Sequence, residues 1–72
     1  MVDSFTAITM RRGSRWVGWV AEVPGVNAQA GTREGLVADL RSALGEALEM
    51  NRADAVAAAG DEPFEEVPIG VA

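Results

Sequence analysis

Alternation dominates the first part of the chain, and a spacing of three to four takes over later. Ser4–Arg12 reads S-F-T-A-I-T-M-R-R, and its Phe, Ile and two Thr favour a strand. Arg12-Gly13-Ser14-Arg15 predicts a turn, because Gly13 can adopt a positive φ without a steric penalty. Trp16–Val23, W-V-G-W-V-A-E-V, is rich in aromatic and β-branched residues and predicts the second strand of a hairpin. Pro24-Gly25 ends that strand, since proline has no amide proton to donate and glycine permits a sharp bend. Val26–Ala30, V-N-A-Q-A, alternates strictly and predicts a half-exposed third strand.

After Gly31 the period changes. Thr32 is placed to cap a helix by accepting from its first free amides, and Glu34 suits the positive end of the helix dipole. A reciprocal capping box fails, because its third position is Gly35. On a helical projection Leu36, Val37, Leu40, Ala43, Leu44, Ala47, Leu48 and Met50 fall within one band of about 160°. Glu34, Asp39, Arg41, Glu46, Glu49 and Arg52 fall on the other side, so the spacing predicts an amphipathic helix to about Arg52. Ala53–Ala59 either extends it or forms a second short helix, with Gly60 as a natural stop. Asp61-Glu62-Pro63 predicts a turn and Phe64–Ile69 a short final strand, confined to a sheet edge because Pro68 cannot donate to a ladder.

The 72 residues therefore predict a single domain over 1–72 of the α+β class. Its architecture is a two-layer βββαβ sandwich: three antiparallel strands plus one returning strand, with one long amphipathic helix on one face. A strand entered through a helix is expected to run parallel to a neighbour by a right-handed crossover.

One helix covers one face of a sheet, and here both faces are apolar. Trp16, Gly18 and Val20 point one way, while Val17, Trp19, Ala21 and Val23 point the other. In the first strand Phe5 and Ala7 oppose Ile8 and Met10. An isolated copy must then expose apolar surface, unless its own C-terminal part folds over it. The expectation is a homo-oligomer, a dimer or higher, or a docked partner, with Phe5, Trp16, Trp19 and Val20 as interface residues.

The residue inventory narrows the chemistry. The chain has no Cys, His, Tyr or Lys. Disulfide scaffolds, thiolate zinc sites, thiol or His-assisted nucleophiles, Schiff bases and lysine-held phosphates are excluded. Carboxylates for a two-metal site are poorly placed: Thr6–Met10 contains no acid, the helix acids lie on its polar side, and Glu65 and Glu66 alternate sides. No catalytic, metal or cofactor-binding residue is expected, no cofactor is implied, and the protein reads as a binder rather than an enzyme.

Charge adds direction. The net charge is −5, divided as +2 over residues 1–33 and −7 over residues 34–72. This balance argues against direct nucleic-acid binding and suits docking onto a basic partner. Asp61, Glu62, Glu65 and Glu66 form an acidic patch that either faces such a partner or simply aids solubility. Arg11, Arg12 and Arg15 cluster at the first turn, as a solvated tip or a grip on an acidic partner. Val2–Ala7 lacks the basic start and apolar run of a signal peptide, and no apolar stretch approaches the ~20 residues that span a bilayer. A cytoplasmic protein without membrane contact is expected.

The run Trp16-Val17-Gly18-Trp19-Val20-Ala21-Glu22-Val23-Pro24-Gly25-Val26 resembles the aromatic-V-A-aromatic-V-P-E-L-P-G signature of the HicB-like antitoxins. Gln29–Leu36 is similar to that family's step from strand into helix, and Leu40-Arg41-Ser42-Ala43-Leu44 to the helix that follows. The likeness covers roughly residues 5 to 50, with Phe64–Ile69 in the place of the family's last strand. It implies a partial ribonuclease-H-like fold and a partner, a small basic HicA-like mRNA nuclease, whose active site the antitoxin blocks. Family members usually add a C-terminal DNA-binding domain. This chain stops at Ala72, so operator binding is not expected of it. The function expected is an antitoxin-like protein that neutralises the toxin by masking it. The alternative is a solo homo-oligomeric structural or regulatory protein with no toxin partner.

Overall fold

Three strands and one helix follow in the order β1 (Ala7–Arg12), β2 (Arg15–Val20), β3 (Asn27–Ala30) and α1 (Arg33–Ala57). The computed structural model describes residues 4–70. The sheet is antiparallel with β2 at its centre, and α1 packs on one face, giving a two-layer α+β domain.

Local chemistry sets these elements. The β1–β2 register pairs Arg12 with Arg15 across a two-residue loop, and Gly13 adopts φ 60° there. Tight hairpins need that left-handed geometry to match strand twist. β2 stops at Val20, short of the expected Val23, because the chain turns back on itself: Val23 N donates to Val20 O and Val26 N to Val23 O, both at 3.4 Å. Val20 N then donates to Val26 O at 3.0 Å, carrying β3 alongside β2. Thr32 caps α1 as expected, with extended backbone and its Oγ1 accepting from Gly35 N at 3.0 Å.

The register assigns the faces. Ala7, Thr9 and Arg11 share a face with Trp16, Gly18 and Val20, and with Ala28 and Ala30, toward α1. Val20, Val26, Leu36 and Leu40 are buried, and Trp16, Val23, Ala28, Ala30, Ala43, Leu44 and Ala47 pack around them. Gly18 allows the helix this close. A Cβ there would stand 2.5 Å from Ile8 O, 3.1 Å from Leu36 Cδ2 and 3.4 Å from Leu40 Cδ1. The helix leans on β3 and β2 and touches β1 least.

At the C-terminal end one alternative is selected and one expectation is corrected. Of the two courses open to Ala53–Ala59, the segment extends the helix, which runs to Ala57, and Gly60, at φ 63°, closes the turn beyond it. Ala47 is the last helical residue packed against the core, so at 1.5 Å per residue about 15 Å of helix overhangs the sheet. Leu48 and Met50 sit in this overhang and are 37% and 67% exposed, although the helical projection groups them with the core. The returning strand is absent among the described residues: residues 63–70 form no ladder, and no crossover exists. The reason is geometric. The helix overhangs the sheet and delivers the segment away from it, where Glu66 pairs with Arg52 on the helix. The radius of gyration, 15.6 Å, exceeds the ~11 Å of a compact chain of this length for the same reason.

Candidate interaction surfaces

The face of the sheet away from α1 is built by β1 and β2. Ile8 pairs with Trp19, Met10 with Val17, and Arg12 with Arg15. Ile8 is 38% exposed, Met10 37% and Trp19 42%. β3 adds only polar groups here, because Asn27 lies beside Trp19 and Gln29 beside Val17. An apolar strip two strands wide therefore runs next to a polar one, with an arginine pair at its hairpin end. Residues 61–70 are exposed throughout and give it no cover.

The four aromatic and aliphatic residues expected at an interface do not form one surface. Trp19 lies on the open face. Trp16 and Val20 lie on the opposite face, half-buried and 4% exposed respectively, where they pack under the helix. They are core residues in this chain. Phe5, 40% exposed, lines a second surface: a groove of about 420 Å³ between β1 and α1, with Ala7, Val20, Val37, Leu40, Leu44 and Arg41. Ile8 and Met10, which the expected set omits, make up the open face with Trp19. Their alternation in S-F-T-A-I-T-M-R-R is the signal that finds them.

The charged clusters are also divided. At the hairpin tip, Arg11 Nε donates to Gly13 O at 3.2 Å and Arg15 Nε to Gln29 Oε1 at 3.1 Å, so two of the three guanidiniums are engaged locally. Asp61, Glu62, Glu65 and Glu66 are all exposed on the C-terminal segment. Glu66 pairs with Arg52, which donates from Nη2 to Oε2 at 3.2 Å and from Nη1 to Oε1. That partner holds the Glu66 carboxyl below the usual glutamate range. Glu22 closes the open end of the β1–β2 ladder, its Oε1 accepting from Thr6 N at 2.7 Å, and this bond lowers its pKa. Among the described residues no group of three or more carboxylates is placed to hold a metal ion, and no helix is long and apolar enough to cross a membrane.

No family model matches this chain, and neither a curated protein nor a solved structure matches it.

Proposed function

We propose that this protein is a non-enzymatic interaction module of the antitoxin type, acting in the cytoplasm, which binds a small basic HicA-like mRNA nuclease and masks it. The observation that carries the reading is the apolar strip of Ile8, Met10 and Trp19 on the sheet face that α1 does not cover. A soluble chain that keeps such a strip on a rigid sheet gains by burying it against a partner. The acidic C-terminal half, at −7, supplies long-range attraction to a basic protein, and the likeness of Trp16–Val26 to the HicB signature names the kind of partner.

The test is RNA cleavage by a purified HicA-like nuclease, taken from the reading frame beside the gene of this protein. Stoichiometric addition of the protein abolishes cleavage, and rising salt weakens the complex. Trp19→Ser loses the inhibition while its helical circular dichroism is unchanged. A nuclease that stays fully active in excess protein refutes the reading. The second reading, a solo homo-oligomer with no toxin, draws support from a separate observation: Phe64, Val67 and Ile69 are 53%, 64% and 85% exposed. Self-association without capture of any nuclease favours it.

A further inference from the structure

Two incomplete features of the chain match each other. The first is β1, an edge strand of the sheet. Ala21 N donates to Thr6 O at 2.9 Å, and by the alternation of an antiparallel ladder the outward backbone groups of β1 are then those of Ala7, Thr9 and Arg11. Beside them lies the apolar groove of Phe5, Ala7, Val37, Leu40 and Leu44, lined also by Arg41; Arg11 and Arg12 lie farther along β1 at the hairpin, Arg12 on the opposite face of the sheet. The second is Phe64–Ile69, which forms no ladder, exposes Phe64, Val67 and Ile69, and carries Glu65 and Glu66.

We propose that Phe64–Ile69 of one copy docks along the β1 edge of a second copy, over the groove between β1 and α1, and that the exchange is reciprocal. The alternation of the segment fits an added outer strand. Glu65, Val67 and Ile69 turn their amides toward β1, whereas Pro68, lacking an amide proton, falls where the amide faces solvent. Val67 and Ile69 then share one side and Phe64 takes the other, so apolar side chains meet the groove and also widen the open face. The charges agree in sign, the two glutamates of the segment meeting Arg41, Arg11 or Arg12 of the other copy. Within one chain the match is not made: the helix overhangs the sheet, and Glu66 lies on that overhang beside Arg52. The ion pair is exposed on both sides, so releasing it for exchange costs little. A second copy satisfies both edge and segment, and exchange of an identical element closes with two-fold symmetry.

Sedimentation of the full chain across a concentration series tests this, together with amide exchange at Ala7, Thr9 and Arg11. The full chain sediments at twice the monomer mass, with those three amides protected. Val67→Asp combined with Ile69→Asp, both at exposed positions, weakens the dimer at least ten-fold and leaves the helical signal unchanged. Three results overturn the proposal: a monomer at every concentration, a dimer unaffected by the double substitution, or a monomer whose own segment protects β1. Masking of the nuclease rests on the opposite sheet face, so each of those results leaves it standing.

Discussion

The seat of the helix is tested most sharply by one methyl group. Gly18→Ala adds a Cβ that would lie 2.5 Å from the backbone oxygen of Ile8 and 3.1 Å from Leu36 Cδ2. The leucine can shift by a few tenths of an ångström, but the ladder oxygen cannot move without disturbing β1. Overpacking of this kind costs about 1–3 kcal/mol. Ala also restricts the unfolded chain, a gain of about 0.4–1 kcal/mol that partly offsets the clash. Because the clash is with a backbone oxygen, the upper part of that range applies, about 2–3 kcal/mol, and the net expected loss is about 1–2.5 kcal/mol, against a total stability of about 4–11 kcal/mol for a domain of this size. With a urea slope near 1 kcal/mol/M, the midpoint falls by about 1–2.5 M. Tryptophan fluorescence reads the transition, since Trp16 is half-buried beside Gly18. Gly45→Ala is the control. Nothing lies within 4 Å of a Cβ at this exposed helical position, so the same substitution raises stability there by about 1 kcal/mol. The opposite signs are the prediction. A Gly18→Ala protein as stable as the parent would show that Leu36 and Leu40 do not rest on this glycine, and the packing described above would be wrong.

Two further outcomes follow from local hydrogen bonds. Thr32→Ala removes the acceptor for Gly35 N and lowers stability by about 1 kcal/mol, measured by the same urea titration, while Thr32→Ser keeps most of it. Glu22 titrates below the ordinary glutamate value because Thr6 N bonds its carboxylate. Its contribution is therefore present above the unfolded-state pKa of about 4.3 and fades as pH falls through the lower folded value. Carboxyl NMR shifts locate that midpoint, and faster exchange of the Thr6 amide at acid pH reports loss of the bond. A Glu22 midpoint at or above the ordinary value refutes the assignment.

What the sequence determined on its own was what neighbouring residues decide among themselves. The Gly13 turn, the alternation of V-N-A-Q-A, the Thr32 cap and the i, i+4, i+8 spacing of Leu36, Leu40 and Leu44 each lie within a few positions, and each is where the sequence pattern places it. The apolar character of both sheet faces was equally legible, because strand side chains alternate whatever they pack against. Tertiary structure decided the rest. Leu48 and Met50 continue the apolar stripe, yet they lie beyond the sheet and have nothing to cover. Trp16 and Trp19 look equivalent in sequence, and only the position of α1 makes one a core residue and the other a surface one. Phe64–Ile69 has the composition of a strand but forms no ladder, because the overhanging helix carries it away from the sheet. Periodicity records which side of an element is apolar. Whether another element lies against that side depends on chain length and crossing position, which no local pattern encodes.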